Sequence, residues 1–402
     1  GTRCQEVTRE TTPRFVSIHS HSQHRIRQVT PVPAQLLHET MKTMRCSIVC
    51  FIAVSLLVNL SASGASANER PNVLLVIVDD MNDYGFGGIP LTKTPAIDRF
   101  RRTALTFKHA YCAAPVCGPS RASAFSGIYP HKTGSYLNGS DPWRPAPPPS
   151  TESPPELFRR SGYHTFRAAK LFHAKTTTEK WDNAWDNKTP KGGFGPFPPE
   201  GDQIAGKFWG VTEWEGPDTD FPDVNNADHT IAFLEQAHEK PFFLCYGLWR
   251  PHTPFTAPKR FFDLYDPTDI PVPPPGYASE DLADVPEAGR RLSDIWSQRW
   301  SVSGGAHADR WRRLLHGYLA TTSFADWNVG RVIEALDRSP HADNTIVIFW
   351  SDNGYHMGEK NHYEKATLWE KSAYTPVAIR VPGSPHNGET CTRPVGSIDL
   401  FP

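Results

Sequence analysis

Residues 72–80 read Asn-Val-Leu-Leu-Val-Ile-Val-Asp-Asp, six consecutive aliphatic side chains closed by two carboxylates. Successive residues of a β-strand face opposite sides, so an unbroken apolar run is covered on both faces, the condition of a strand inside a parallel sheet. Two later stretches repeat the pattern: Pro-Phe-Phe-Leu-Cys-Tyr over 241–246, and Thr-Ile-Val-Ile-Phe-Trp over 345–350, followed by Ser351-Asp352-Asn353-Gly354. Apolar spacing predicts helices over 95–105, 225–238 and 308–337. Strands alternating with helices imply an α/β core, and the polar residues stand at the carboxyl ends of strands, where open α/β sheets hold their ligands. Two stretches interrupt the pattern: 175–223, rich in Trp, Gly, Pro and Asp, and 266–305, which opens with prolines. Both are expected as long surface excursions that wall a pocket.

The chain has 402 residues, enough for a large core, and its hydrophobic fraction of 38% excludes a disordered protein. No fixed-period repeat is present. A net charge of −1 supplies no basic field for nucleic acid. The 29 glycines and 38 prolines exceed average usage and predict a loop-heavy globular protein. Residues 44–67 combine a basic start, a short apolar run and an Ala-Ser-Ala ending, the pattern of a secretory signal peptide cut after Ala67. The run is too short for a stable membrane anchor, and no cysteine follows the cut for lipid attachment. Residues 1–43 are then expected to be a non-native upstream extension, and 68–402 one large domain of an exported protein, periplasmic or extracellular, lysosomal in a eukaryote. That domain carries 35 basic and 40 acidic side chains, a net −5, and four cysteines: Cys112, Cys117, Cys245 and Cys391. One disulfide is compatible with export, in any pairing.

The most specific motif is Cys117-Gly118-Pro119-Ser120-Arg121, with Gly127 six residues after the arginine. A cysteine leading into a helical turn is either a thiol whose pKa the helix N-terminus lowers or a small buried thiol at a turn. The motif as a whole resembles the signature of the type I sulfatases, in which the cysteine is converted to formylglycine by a formylglycine-generating enzyme. The 72–80 strand is similar to the family's first strand, whose two aspartates bind metal, and the Ser351–Gly354 turn to the one that supplies the remaining ligands. The resemblance thus implies a shell of Asp79, Asp80, Asp352, Asn353 and the formylglycine at Cys117. Hard oxygen ligands suit Ca²⁺ or Mg²⁺ over zinc, and a flexible, carboxylate-rich shell favours Ca²⁺.

Three further segments extend the resemblance. Ala169-Lys170-Leu171-Phe172-His173 resembles a family segment whose lysine binds sulfate and whose histidine works on the formylglycine hydroxyl. Trp249-Arg250-Pro251-His252-Thr253-Pro254-Phe255 resembles one whose histidine meets the leaving group. Lys365 matches the second sulfate-binding lysine. The implied fold is a large mixed, mostly parallel sheet flanked by helices, the alkaline-phosphatase-like sulfatase core. The wording is most similar to the iduronate-2-sulfatase-like branch. The implied roles are a geminal diol at 117 attacking sulfur, Arg121 holding the diol, Lys170 and Lys365 neutralising the sulfate, His252 as acid and His173 as base. His131, near the motif, is expected to be structural.

The implied substrate is a sulfate ester, on a sulfated sugar or polysaccharide. The aromatic stretch 181–214 either stacks on sugar rings or packs on its own aromatics as a lid. Alternatives are a phosphomonoester or phosphonate hydrolase of the same superfamily, and a non-catalytic carbohydrate-binding relic. Family members continue past the last residue here into a helix and a smaller sheet subdomain, so the chain is expected to be truncated at its C-terminus and unstable as it stands.

Overall fold

The computed structural model describes residues 70–139, 152–173, 183–187, 192–274, 277–278, 280–291 and 307–401. The expected upstream extension and signal peptide lie outside these residues. All three apolar runs are strands: β1 (Asn72–Asp79), β5 (Phe242–Pro251) and β7 (Thr345–Ser351). β1 lies between the other two and parallel to both, with Val73 level with Phe243 on one side and Ile346 on the other. Four strands that the apolar pattern did not mark complete a seven-stranded sheet: β2 (Leu105–Tyr111), β3 (His164–Ala169), β10 (Val377–Arg380) and β11 (Thr390–Gly396). The order is β11-β2-β10-β7-β1-β5-β3, and within it only β10 runs against its neighbours. The mixed, mostly parallel sheet expected from the sequence is therefore present. Two short ribbons stand apart from it: β4 (Val211–Trp214) beside β6 (Phe255–Pro258), and β8 (His356–Met357) beside β9 (Tyr363–Glu364).

β1 is apolar throughout because both its faces are covered. Leu74, Val76 and Val78 pack against α1 (Pro95–Arg101), α4 (Pro222–Leu234) and α5 (His307–Arg338), through residues such as Phe100, Phe233 and Val329. Val73, Leu75 and Ile77 face the other way, onto Ala122, Ala124 and Phe125 of α2 (Cys117–Ser126) and onto Phe158 of α3 (Pro154–Arg160). A third apolar cluster joins the β4–β6 ribbon to Trp311, Leu315 and Tyr318 of α5.

Two expectations are corrected. The helix expected over 95–105 ends at Arg101, and Leu105 instead opens β2, where the alternation Leu-Thr-Phe takes over. The excursion expected over 175–223 is not all loop: it holds β4 and ends in the first turn of α4, which starts at Pro222, a residue suited to the first helical position. The four described cysteines are free thiols, so no disulfide joins them. No described helix is long and apolar enough to cross a membrane.

α2 is unusual in that all ten of its residues are buried. It stops at Gly127, whose φ of 66° is left-handed. A residue without Cβ takes that helix-ending conformation at no steric cost, which accounts for the glycine that closes the motif. The carboxyl ends of β1, β3, β5 and β7 and the first turn of α2 thus meet along one edge of the sheet.

Candidate active site

Asp79 ends β1, and at Asp80 the backbone turns left-handed, with φ of 63°. Asp tolerates this conformation better than most residues. In a continued strand the two side chains would face opposite sides of the sheet. Here carboxylate oxygens of Asp79, Asp80 and Asp352 all lie within 4.8 Å of one another. The turn is held by the Tyr318 hydroxyl, which donates to the Asp80 carbonyl at 2.9 Å and accepts from the Asn82 N–H at 2.9 Å. Asp352 is tied in by the N–H groups of Asp80 and Asn353, which donate to its Oδ1 at 3.1 and 2.9 Å.

Three fully buried carboxylates require positive partners. Arg121 donates through Nε to Asp352 Oδ2 at 2.7 Å and holds Nη2 3.8 Å from Asp79 Oδ1, while Lys170 pairs with Asp79 and Lys365 with Asp80. Burial pushes the Asp79 carboxyl up, but Lys170 and His252 outweigh it and hold the group below the usual carboxylate range. At Asp80 burial is likewise outweighed, by Lys365 and His252. The Arg121 guanidinium is directed at Asp352, Asp79 and the Lys170 carbonyl, so it braces the carboxylates from behind.

Cys117 opens α2 with Sγ 2.8 Å from Lys365 Nζ and 3.8 Å from Asp80 Oδ1. Of the two readings of this cysteine, a thiol with a lowered pKa and a small buried thiol at a turn, the geometry fits the second. Burial pushes the thiol well above its ordinary value, Asp79 adds to the effect, and Lys365 offsets only part of it. A thiol kept protonated is a poor nucleophile. The rest of the motif is structural support: the Ser120 hydroxyl donates to the Asp352 carbonyl, and the Gly118 N–H donates to Asn138 Oδ1 at 2.8 Å.

His252 follows β5 with Nε2 3.6 Å from Asp80 Oδ2, and its Nδ1 donates to the Thr253 carbonyl at 2.6 Å. Burial pushes His252 down to about 4, and burial with nearby Lys170 does the same for His173. Lys170 continues from β3, its ammonium 4.9 Å from the Trp249 ring and 5.2 Å from the Phe194 ring. β3 closes on β5 here because residue 247 is glycine; a Cβ there would stand 2.0 Å from the Lys170 carbonyl oxygen. His131 lies apart, exposed and stacked on Tyr129 at 5.8 Å. Phe194, Trp249 and Tyr318 belong to the site although the sequence reading assigned none of them a role individually. Phe194 and Trp249 lie in segments already singled out, whereas Tyr318 is one aromatic among many in α5.

The donor set suits a hard cation. Asp79 Oδ1, Asp80 Oδ2 and Asn353 Oδ1 are buried and have no hydrogen-bond partner among the described residues. These oxygens, with Asp352 beside them, form an all-oxygen shell of the kind Ca²⁺ and Mg²⁺ take. Asp79, Cys117 and His252 form a second grouping that shares Asp79, which puts residue 117 at the edge of that shell.

Comparison with known proteins gives consistent matches. The Sulfatase family profile matches residues 71–402. A sulfatase of Formosa agariphila is 34% identical over 83% of this chain and 68% of its own length. The human iduronate 2-sulfatase is 30% identical over 84% of this chain and 63% of its own length. The chain therefore spans about two thirds of the length of these relatives. Among solved structures, a phosphonate monoester hydrolase from Silicibacter pomeroyi superposes with a TM-score of 0.66 over 83% of this chain and 72% of its own, at 21% identity.

Proposed function

Because the chain belongs to the sulfatase family, we propose that it hydrolyses a sulfate ester on a sulfated sugar, with formylglycine formed from Cys117 and with bound Ca²⁺. The observation that carries this reading is the convergence of Asp79, Asp80 and Asp352 on residue 117, with Lys170 and Lys365 paired into the same cluster. Arg121 makes a third cation, so three positive side chains balance three carboxylates. A divalent cation would leave the site with net positive charge, matched to an anionic ester.

Hydrated formylglycine supplies two hydroxyls, one to attack sulfur and one whose deprotonation expels sulfate as the aldehyde re-forms. A divalent ion held by Asp79, Asp80, Asp352 and Asn353 supplies charge that favours the deprotonated hydroxyl, and Ca²⁺ suits the carboxylate-rich shell better than Mg²⁺. Lys170 and Lys365 bind the sulfuryl oxygens as negative charge grows on them. His252 gives its Nε2 proton to the leaving alcohol, its ring held in place by the Nδ1–H donated to Thr253. At a pKa of about 4 its ring is neutral at pH 7 before the ester binds, so the Nε2 proton it delivers is taken up from solvent with the ester. His173, also neutral at pH 7 with a value of about 4, takes the proton from the remaining hydroxyl.

The 30% identity to the human iduronate 2-sulfatase supports the finer reading of an iduronate-2-sulfatase-like substrate range. The pattern over 44–67 supports export to the periplasm or outside the cell, or to the lysosome in a eukaryote, with 68–402 as the catalytic domain and a formylglycine-generating enzyme as maturation partner. The likeness to a phosphonate hydrolase rests on 21% identity and speaks for the fold alone. Mass spectrometry of active protein is expected to show an aldehyde or its hydrate at position 117, and kcat/KM on an aryl sulfate is expected to exceed that on the matching aryl phosphate. An unmodified thiol with full activity, or a preference for the phosphate, overturns the proposal.

A further inference from the structure

We propose that Phe194 is the platform against which the sulfate-bearing sugar ring lies, and that Arg250 is the residue that locks this platform in place; this rests on the sulfated-sugar reading above. Two outcomes were open for the aromatic stretch 181–214, and its described members divide between them. Phe197 and Phe208 meet at 5.1 Å and Phe208 and Trp209 at 6.1 Å, so these three pack on one another, while Trp185 packs on Phe243 at 6.0 Å and Trp214 on Phe221 at 6.5 Å. Phe194 touches that cluster through Phe208 at 5.7 Å but also reaches the site, its ring 4.8 Å from the His252 ring and 4.5 Å from Trp249. It is half-buried, so part of its surface remains for another group to cover.

The position decides the role. His252 is the group placed to meet the leaving alcohol, and a leaving alcohol on a sugar brings its ring with it. An aromatic face beside that histidine meets the C–H face of the ring, the usual way an apolar surface binds a carbohydrate.

Arg250 stands two residues before His252, where a guanidinium could be read as a sulfate ligand. The structure assigns it elsewhere. It is only 1% exposed, and it donates through Nη2 to the Phe194 carbonyl at 2.6 Å and through Nε to the Thr256 carbonyl at 2.8 Å. Its own N–H and that of Trp249 are held by the Asp223 carboxylate at 3.1 and 2.8 Å. One side chain thus bolts the end of β5 and the start of β6 to the excursion at Phe194. Lysine has a single ammonium in place of the planar fork and cannot reproduce both contacts.

The test separates binding from turnover. Kd for a sulfated monosaccharide is measured by calorimetry on Cys117→Ala protein, and KM, kcat and the Ki of inorganic sulfate on the active enzyme. Phe194→Leu, which keeps the bulk, is expected to raise Kd and KM about tenfold with kcat within about threefold and the sulfate Ki unchanged. Phe194→Trp is expected to restore Kd. Arg250→Lys is expected to raise Kd in the same direction, and to add little in the Phe194→Leu background because the two act as one unit. Sulfate released with unchanged KM by Phe194→Leu overturns the platform and leaves the sulfatase reading standing. A sulfate Ki that rises in parallel with KM overturns it too, because Phe194 then acts through Lys170. Sugar bound in a Phe194-dependent way without sulfate release upholds the platform and removes the activity. No binding to the unsubstituted site removes both.

Discussion

Arg121 has no exposed surface and stands against two carboxylates, and that pairing sets the stability of the site more than its chemistry. Removing one member of a buried ion pair leaves the other uncompensated, at about 3–5 kcal/mol. Asp352→Asn is therefore expected to lower the unfolding free energy by about that amount, read from the denaturant midpoint at unchanged slope. Cys117→Ala behaves in the opposite way. The side chain is small, and its burial keeps the thiol protonated, so turnover should vanish while the melting temperature stays within a few degrees of the parent. The unpartnered oxygens of Asp79, Asp80 and Asn353 give a third expectation. Ca²⁺ at about 100 times its Kd should add roughly 2.7 kcal/mol of stability. Asp80→Asn should lose most of that gain, and a thermal shift unchanged in the variant would exclude Asp80 as a ligand.

At the scale of elements, the site is a product of strand ends. β1, β5 and β7 were legible because a strand buried on both faces is apolar at every position, and their terminal polar residues named the site at once. β2 and β11 were not, since β2 has only two buried positions and β11 alternates between exposed and partly exposed ones, and they include Thr, Lys, His and Pro; such stretches pair by register with a neighbour that the sequence does not display. Asp79, Asp80, Cys117, Lys170, His252 and Asp352 could be named because each sits in a short motif, and Lys365 from its spacing after Asn353. The bolt between Arg250 and Phe194 could not, because the two lie 56 positions apart and nothing local marks either as the other's partner. Gly247 shows how tightly one element constrains another. A methyl group there meets the Lys170 backbone at 2.0 Å, and backbone cannot swing aside as a side chain can. Gly247→Ala is expected to push β3 off β5 and to displace Lys170, raising KM for the sulfate ester by tenfold or more. An enzyme with parental KM and melting temperature would show that the strand ends tolerate the shift.

For the whole molecule, the joint between α5 and α1 gives stability a pH dependence of its own. Thr94, at the start of α1, makes no side-chain cap. The first N–H groups are satisfied from α5 instead, where Asp326 accepts from Ala96 at 3.1 Å and Ile97 at 2.7 Å. Burial pushes the Asp326 carboxyl from 3.8 up to about 7, against the pull of those two N–H groups. Asp223, in the bolt behind the site, is pushed up to about 6, again chiefly by burial. A carboxyl whose folded pKa exceeds its unfolded value keeps a proton that the unfolded chain has released, so the folded state binds more protons between the two values. Its contribution is complete below 3.8 and is lost as pH rises through about 7. Each such group therefore makes stability fall with rising pH in that window, by up to about 1.4 kcal/mol per pH unit. Carboxylates held low, such as Asp79 and Asp80, act below the window and leave it undisturbed. In unfolding free energies of the parent and Asp326→Asn, measured at several values from about pH 4.5 to 7.5, the parent should lose stability relative to the variant as pH rises, because the amide has no proton to lose. Parallel curves would show that Asp326 is ionised throughout and caps α1 as a carboxylate.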